Sequence, residues 1–367
     1  MYLFDLKQET NKKVVVGMSG GVDSSVAAYL LKEKGYKVTG LFMQNWQNEP
    51  GEKCTSEIDF QDASSVCDRL EIPLHKANFS DDYWNNVFEE FLNEYKLGRT
   101  PNPDILCNRE IKFKSFLNYA LTIGADYIAT GHYASLRNIN DKTYLSRAKD
   151  IAKDQTYFLH EVKEPEFKKC IFPLENLMKS DVRKIAKEIG LSVSSKKDSV
   201  GICFVGEKNM KDFLGRFIKL EKGPILDEDN NIIGEHNGST LYTIGQRQGL
   251  QIGGIKDKDD LPWYVYKKDI LKNHIFVCQG VNNNLLYSKG LECEDISWIN
   301  DDYDFDSIEC MIQIRHQHKP VDCQIDYLND RYVIKFNKPI RGVALGQSAV
   351  FYKKNICMGG GVISRAF

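Results

Sequence analysis

The hexapeptide Ser19-Gly20-Gly21-Val22-Asp23-Ser24 constrains the fold of this chain more than any other sequence feature. It follows the apolar run at residues 14–16, which predicts a buried strand, and precedes a segment with one apolar helical face that closes at Gly35. Two adjacent glycines permit a sharp turn close to a ligand, and a helix start offers free N–H groups and a positive dipole end. The pattern predicts a phosphate-binding loop between a strand and a helix.

Two readings of this loop stay open at the level of sequence. Asp23 repels a bare phosphate unless a cation or a helix-capping role accommodates it, so a simple Gly-Gly turn with Asp23 as N-cap is the structural alternative. The ending Gly-Lys-Ser/Thr is missing, which excludes a Walker A loop. The strand–turn–helix context favours the phosphate-binding reading.

The rest of the chain predicts three domains. Apolar strands at residues 38–43 and 127–129 alternate with helical segments such as 113–121, which is typical of an α/β domain with a parallel sheet. Beyond about residue 205, glycines and turn residues become frequent. Short strand-like runs then follow at 311–315, 322–328, 332–336 and 348–352, which predict a small antiparallel barrel. The predicted domains are 1–205, 206–285 and 286–367.

Charge and hydropathy exclude some classes of protein. Lys and Arg number 49 against 51 acids, and a net charge of -2 argues against a protein that coats nucleic acid through bulk charge. Residues 179–222 nevertheless hold eleven bases and six acids, which suits either a polyanion or a solvated helical face. No run of about 18 uncharged apolar residues is present, and Asp5 interrupts any signal-peptide core. We expect a cytoplasmic protein with no membrane partner.

The ten cysteines include no Cys-x-x-Cys pair. In a chain without a signal peptide they are expected to be reduced thiols, and most of them small core residues. Their spacing predicts neither a zinc ribbon nor an iron–sulfur cluster.

Several segments together resemble a known family. The loop at 19–24 resembles the PP-loop of the ATP pyrophosphatase superfamily, and residues 98–108 and 197–204 resemble the signature segments of bacterial tRNA-specific 2-thiouridylases. Residues 130–132, 153–155, 245–247 and 346–352 also match, in the family's order. The resemblance implies a parallel-sheet PP-loop domain (adenine nucleotide alpha hydrolase-like), a small mixed α+β domain that contacts tRNA, and a C-terminal antiparallel β-barrel.

The resemblance also implies the reaction and its catalytic residues. ATP adenylates O2 of the wobble uridine (position 34) of tRNA, and sulfur from a cysteine persulfide replaces that oxygen, giving 2-thiouridine, AMP and diphosphate. Adenylation is needed because oxide is a poor leaving group, and it splits one difficult step into easier ones. The implied residues are Cys203 as persulfide carrier, Cys107 as nucleophile and Asp104 as general acid/base.

The binding residues are carried over in the same way. The resemblance assigns the following residues to ATP: Gly17, Met18, Ser19, Gly20, Gly21, Val22, Asp23, Ser24, Met43 and Gly131. It assigns Asn102, Pro103 and Asp104 to the target base. It assigns the following residues to tRNA: His132, Lys153, Asp154, Gln155, Arg315, His316 and Gln347.

The resemblance implies partners too, and it has one departure. Mg²⁺ is expected with ATP, with no dedicated metal cluster; the expected partners are tRNAs for Lys, Glu and Gln and a persulfide-carrying sulfur donor. Where the family commonly has Arg-Tyr-Arg, this chain has Arg315-His316-Gln317, so a stacking aromatic ring and one cation are replaced.

Alternatives remain at this level. Residue type alone makes Met43 as good a core residue as an adenine contact, and Asp104 after Pro103 suits a helix N-cap. Another PP-loop adenylating enzyme, such as a nucleotide amidotransferase or an argininosuccinate-type ligase, needs neither Cys107 nor Cys203. A tRNA-binding protein without catalysis needs none of the catalytic set. Thiolases with an iron–sulfur cluster are disfavoured by the missing Cys-x-x-Cys pair.

Overall fold

The structure is a computed structural model that describes residues 10–46, 55–197, 209–255, 260–301, 303 and 307–367. Its strands are β1 (Lys13–Met18), β2 (Lys37–Gln44), β3 (Leu74–Asn78), β4 (Tyr127–Ala129), β5 (Ser135–Ile139), β6 (Lys142–Ser146), β7 (Cys170–Ile171), β8 (Gly223–Leu226), β9 (Ile232–His236), β10 (Trp263–Asp269), β11 (His274–Gln279), β12 (Tyr287–Cys293), β13 (Ser297–Trp298), β14 (Ser307–Gln313), β15 (Val321–Leu328), β16 (Arg331–Arg341), β17 (Ser348–Lys353) and β18 (Ile356–Ala366).

Its helices are α1 (Val22–Glu33), α2 (Thr55–Leu70), α3 (Ser80–Tyr83), α4 (Glu89–Lys96), α5 (Pro103–Leu106), α6 (Phe116–Thr122), α7 (Glu164–Phe167), α8 (Lys179–Glu188) and α9 (Met210–Leu214). Two π-helical stretches, Trp84–Phe88 and Cys107–Ser115, join α3 to α4 and α5 to α6. Short 3₁₀ turns span Thr156–Leu159, Ser192–Ser195, Ser239–Leu241 and Asn284–Leu286. Among the helices of the described ranges, none is both long and apolar enough to cross a bilayer.

The N-terminal sheet is parallel and has the order β3-β2-β1-β4-β7. Successive strand residues point to opposite faces, so Val15 lies in one core and Val14 and Val16 lie in the other. The first core is covered by the helices from α3 to α6, and the second by α1, α2 and α8. The predicted α/β domain with a parallel sheet is therefore confirmed.

The middle of the chain forms a four-stranded mixed sheet of order β10-β11-β8-β9, in which β11 and β8 run parallel. Its core contains Ile225, Trp263, Val265 and Ile275. α9 precedes this sheet, but its Phe213 packs in the first core of the N-terminal domain. The predicted small mixed domain is present, and its predicted boundaries stay predictions.

The C-terminal strands close into an antiparallel barrel. The order is β12-β16-β15-β14-β17-β18, and β12 pairs with β18 as well as β16, which closes the ring. The predicted barrel is confirmed. The β5–β6 hairpin joins the same sheet through the pairing of Ser146 with Ile356, although it lies some 200 residues earlier in the chain. This pairing fixes the barrel against the N-terminal domain.

Glycines let β18 approach its neighbours closely. An added methyl group should therefore lower the stability of the protein at these positions and not at open ones. Gly359 has a φ of 146°, and a Cβ there would overlap the carbonyl oxygen of Ser297. Gly359→Ala is expected to lower the free energy of unfolding by about 2 to 4 kcal/mol, through backbone strain and overpacking. Chemical denaturation of the whole chain measures this.

Gly253→Ala is the matched control, because a Cβ at Gly253 meets no atom within 4 Å. Its effect should stay within about 0.5 kcal/mol of wild type. Equal effects of the two substitutions would contradict the close packing of β18.

Candidate active site

The predicted phosphate-binding loop lies between β1 and α1. Gly21 is the N-cap of α1 and, as a glycine, supplies no capping side chain. Gly20 has a φ of 71°, and a Cβ there would overlap the backbone of Asp59, so this position requires glycine. Asp23 is the second residue of the helix, so the alternative that it caps the helix is wrong.

Serine hydroxyls fix the shape of the loop. The Ser24 hydroxyl accepts a hydrogen bond from the Ser19 N–H (3.2 Å) and donates to the Gly21 carbonyl (3.2 Å). The Ser25 hydroxyl also donates to the Gly21 carbonyl, at 2.7 Å. These bonds hold the first turn of α1 in place. The N-terminal end of a helix held in this way is a favourable position for an anion.

A lysine from a distant segment neutralises the carboxylate in this loop. The Lys179 ammonium, at the start of α8, lies 2.7 Å from both carboxylate oxygens of Asp23. The Tyr133 hydroxyl donates to the same carboxylate at 3.1 Å. The cation that the sequence required beside Asp23 is thus a residue of the chain itself.

A second lysine holds the loop from the other side. The Lys196 ammonium donates to the Gly20 carbonyl (3.0 Å), to Asp59 (2.8 Å) and to Asp62 (2.6 Å). Burial opposes the charge of Lys196, but its hydrogen bonds to the two carboxylates raise its pKa overall. Lys179 and Lys196 both belong to the basic stretch at 179–222, so at least these two cations face the loop rather than forming a solvated face.

The ends of the neighbouring strands complete the loop's surroundings. Gly131 follows β4 so closely against α1 that a Cβ would lie 2.6 Å from the Ser24 nitrogen and 2.8 Å from the Asp23 carbonyl carbon. Met43, near the end of β2, is buried in the first core, and a Cβ on Gly17 would lie 3.3 Å from its methyl group. The carboxyl ends of β1, β2 and β4 therefore meet at the loop, as expected for a ligand site in a parallel sheet.

The helix that begins at Pro103 carries two of the predicted catalytic residues. Asn102 is its N-cap, with its side chain accepting a hydrogen bond from the Asp104 N–H at 3.1 Å. The alternative that Asp104 is the cap is therefore wrong. Cys107 follows three residues later, where α5 passes into the π-helical stretch, so both side chains lie on one side of the helix. Cys107 is fully buried, whereas Asp104 is half-buried.

Side chains next to Cys107 anchor this helix to the segment after residue 155. The buried Asn108 amide donates to the Phe158 carbonyl at 3.1 Å. The Arg109 guanidinium contacts Glu161 at 2.6 Å and Glu110 at 2.7 Å. π-Helical stretches are frequent at functional sites, and this one places a buried thiol at a fixed depth.

The three domains meet just before this helix, at Thr100. Its N–H donates to the Leu345 carbonyl of the barrel domain at 2.9 Å, and its carbonyl accepts from the Gln347 amide at 2.6 Å. Its hydroxyl lies 3.1 Å from the hydroxyl of Thr243 in the central domain. The predicted target-base segment 102–104 is therefore supported by all three domains.

The residues predicted to bind tRNA lie in two groups, the first of which follows β4. The His132 ring is 8% exposed, lies 2.8 Å from the Thr130 hydroxyl and packs on Phe113. Burial, with a smaller effect of Lys112, lowers the pKa of His132 well below the usual value. The predicted contact of His132 with tRNA stays a prediction. In the structure of the chain by itself, this side chain is buried.

Residues 153–155 form a turn beside His132. Burial raises the pKa of Asp154, which accepts hydrogen bonds from the Ala148 N–H (3.0 Å) and the Thr156 hydroxyl (2.6 Å). The Gln155 side chain accepts from the Tyr133 N–H at 3.0 Å, and Lys153 is half-buried. The turn thus connects to the loop through Tyr133.

The second group belongs to the barrel domain. Arg315 donates to the carbonyls of Ile244 (2.7 Å) and Gly342 (2.8 Å), and burial lowers its pKa. His316 donates to the Asp154 carbonyl at 2.9 Å, and its ring centroid lies 4.5 Å from that of Phe158. His316 therefore joins the barrel to the 153–155 turn, although its place in the family pattern is normally taken by a larger ring.

Cys203 lies outside the described residues, so its distance from Cys107 is not part of the structure. Tyr133 was not predicted from the sequence. Nor were the individual roles of Lys179 and Lys196, for which the basic stretch at 179–222 was the only signal. Within the described ranges, no three His, Cys, Asp or Glu side chains come together as a metal-binding group.

The geometry defines a three-domain protein with a glycine-containing loop between a parallel strand and a helix N-terminus, and comparisons with known proteins give the family. Residues 12–207 match the tRNA methyl transferase HUP domain, 211–279 the tRNA methyl transferase PRC-barrel domain, and 288–363 the aminomethyltransferase beta-barrel domain. The chain is 52% identical over 357 residues to the tRNA-specific 2-thiouridylase MnmA of Buchnera aphidicola subsp. Schizaphis graminum, covering 96% of this chain and 97% of that protein.

Other relatives agree. The chain is 49% identical over 360 residues to MnmA of Salmonella typhimurium (97% of this chain, 98% of that protein) and 50% identical over 355 residues to MnmA of Legionella pneumophila (96% and 98%). The chain belongs to the tRNA-specific 2-thiouridylase family, and the resemblance found in the sequence is confirmed.

The contact between Gly131 and α1 predicts a loss of nucleotide binding when a methyl group is added. Gly131→Ala forces the start of α1 away from β4, because the added methyl group meets backbone atoms of residues 23 and 24. We expect the Kd for ATP, measured by calorimetry, to rise at least about tenfold, as a shift of 1.4 kcal/mol gives. Gly254→Ala, whose Cβ meets no atom within 4 Å, is the control; equal Kd values for the two variants would contradict the prediction.

The ion pair between Lys179 and Asp23 predicts a charge effect on ATP binding. Lys179→Met leaves the Asp23 carboxylate without a neutralising cation at the helix end, so the Kd for ATP should rise about 10- to 100-fold. Lys179→Arg should restore part of the affinity, since it keeps the charge.

Lys184→Met is the matched control for Lys179→Met. Lys184 lies on the same helix, and its side chain is 62% exposed and paired only loosely with Glu188 at 3.9 Å. Its substitution should leave ATP binding at the wild-type value. A Lys179→Met protein that binds ATP as tightly as Lys184→Met would refute the electrostatic role of Lys179.

Proposed function

We propose that this chain catalyses the ATP-dependent 2-thiolation of the wobble uridine (position 34) of tRNA. Uracil O2 is adenylated with release of diphosphate, and sulfur from a cysteine persulfide then displaces AMP to give 2-thiouridine. The single observation that carries the proposal is the helix 103–115, which brings a half-buried Asp104 and a buried Cys107 to the junction of three domains. The similarity to tRNA-specific 2-thiouridylases along the whole chain supports it.

ATP is assigned to the loop at 17–24 with Met43 and Gly131. The N–H groups and dipole of α1 suit its phosphates, and the neutralisation of Asp23 by Lys179 lowers the repulsion that a second anion would meet. Mg²⁺ is proposed to come with the nucleotide, held mainly by the phosphates, as is usual for this ion.

Sulfur transfer is assigned to Cys107 and Cys203. In the balanced step, the persulfide of Cys203 gives its outer sulfur to C2 of the adenylated uracil, and AMP leaves with the former O2. The Cys107 thiolate bonds to the remaining Cys203 sulfur, so a disulfide forms, which an external thiol reduces with two electrons. The same products arise if Cys107 first releases the sulfur as hydrosulfide. Asp104 is proposed to act as general acid/base and to move a proton during adenylation or sulfur transfer.

The remaining assignments follow the same proposal. Asn102, Pro103 and Asp104 meet the target base; His132, residues 153–155, Arg315, His316 and Gln347 meet tRNA. The partners are tRNAs for Lys, Glu and Gln and a persulfide-carrying donor protein, in the cytoplasm and without an iron–sulfur cluster. The proposed domain limits are 1–205, 206–285 and 286–367.

The test is thiolation of a transcribed tRNA with a wobble uridine, with ATP and a persulfide donor, scoring thiouridine and AMP separately. Wild type should form both. Cys107→Ser and Cys203→Ser should form no thiouridine, whereas Asp104→Asn should slow the reaction about 10²- to 10⁴-fold. Cys310→Ser, which changes a half-buried thiol of the barrel domain, should behave as wild type.

Three outcomes would reject the proposal. Wild-type protein that forms no tRNA-dependent AMP would favour another PP-loop adenylating enzyme. tRNA binding without any AMP or thiouridine would favour a relative that has lost catalysis. Equal thiolation by wild type and both cysteine variants would remove Cys107 and Cys203 from the mechanism.

A further inference from the structure

We propose that the side-chain amide of Asn45 binds the edge of the adenine ring of ATP and gives the site its preference for adenine. The inference rests on the proposed function for the presence of ATP and adds a nucleobase-binding residue to it. Asn45 comes directly after β2 and is not among the residues that the sequence pointed to.

The amide of Asn45 is buried without a partner. The residue is 2% exposed, and neither Nδ2 nor Oδ1 has a hydrogen-bond partner in the described part of the chain. Buried side-chain amides are almost always hydrogen-bonded, because desolvating an unpaired donor and acceptor is costly. An amide with both atoms unpaired therefore indicates a ligand that supplies one donor and one acceptor.

The position of Asn45 lies beside the phosphate loop. β2 pairs in parallel with β1, and Met18 at the end of β1 lies opposite Phe42, so Asn45 extends beyond the edge where the loop begins. The Phe79 N–H donates to the Gln44 carbonyl at 2.9 Å and fixes the chain just before Asn45. The amide thus lies on a held segment at the carboxyl edge of the sheet, where ligands of such sheets bind.

The surroundings of the loop place the base on the β2 side. On the β4 side, Gly131 lies against the backbone at the start of α1, and Tyr133 covers Asp23. A nucleotide with its phosphates at α1 therefore extends its base over β2.

The chemistry of adenine matches the amide. The 6-amino group of adenine donates and the adjacent ring nitrogen accepts, and asparagine pairs with such an edge through Oδ1 and Nδ2. Removing the 6-amino group leaves Oδ1 without a partner in a buried site, which a site built around a hydrogen bond penalises strongly.

The test compares the Kd of ATP with that of purine riboside triphosphate, which lacks the 6-amino group, by calorimetry on the full chain. Wild type should prefer ATP about 10- to 100-fold, the range expected when a buried acceptor loses its donor. In Asn45→Ala this preference should fall to about threefold or less, because the group that detects the amine is gone.

Asn300→Ala is the matched control. Asn300 is 1% exposed and also has an unpartnered Oδ1 within the described residues, while its Nδ2 donates to the Thr143 carbonyl at 3.0 Å, away from the loop. Its substitution should change the melting temperature but keep the preference for ATP at the wild-type value.

Two outcomes would overturn the inference. An unchanged preference in Asn45→Ala with a lowered melting temperature would show a purely structural amide. The second outcome is that Asn45→Ala leaves ATP binding unchanged and either raises the KM for tRNA or thiolates a tRNA with cytidine at position 34. Either effect would show that Asn45 contacts the target base. Failure of thiolation in wild type with the ATP preference intact would reject the proposed function alone.

Discussion

The ion pair between Lys179 and Asp23 is the interaction on which the site depends. A carboxylate at the start of α1 stabilises the helix dipole, but it opposes any further anion at the same place. The Lys179 ammonium lies 2.7 Å from both carboxylate oxygens of Asp23, and the Tyr133 hydroxyl donates to the same carboxylate at 3.1 Å. Together they remove this conflict. Tyr133 follows β4 and Lys179 follows β7, and both strands lie on the side of β1 opposite to β2. Side chains from that half of the sheet therefore hold the loop after β1. Lys196 supports it from the side of α2.

The second constraint is the junction at Thr100. The helix that carries Asp104 and Cys107 starts three residues later, and its entry is bonded to the barrel through Leu345 and Gln347. Arg315, half-buried in the barrel domain, in turn bonds to Ile244 of the central domain. The helix that carries Asp104 and Cys107 is therefore entered from a segment bonded to the barrel domain, and the barrel domain is itself bonded to the central domain.

Local pattern was enough to predict β1, α1 and the loop between them, and the strands β14, β15, β16 and β17 of the barrel, because apolar runs and nearby turn residues mark each of them. It was not enough to identify Asn102 as the cap of α5, because the sequence suggested only Asp104 for that position. The partners of Asp23 and the addition of the β5–β6 hairpin to the barrel join residues over 100 positions apart. No short-range signal encodes such contacts. Asn45 was missed because a single asparagine after a strand is ordinary until its burial is known.

In the proposed reaction ATP activates the uracil oxygen itself, so the most direct measurement follows that oxygen. A tRNA carrying oxygen-18 at O2 of the wobble uridine would be thiolated by the wild-type chain, and the AMP analysed by mass spectrometry. Each AMP should carry one oxygen-18 in its phosphate, since the adenylated oxygen leaves with AMP. Thiolation that yields unlabelled AMP would contradict the proposed reaction, because the oxygen would then have left by another route.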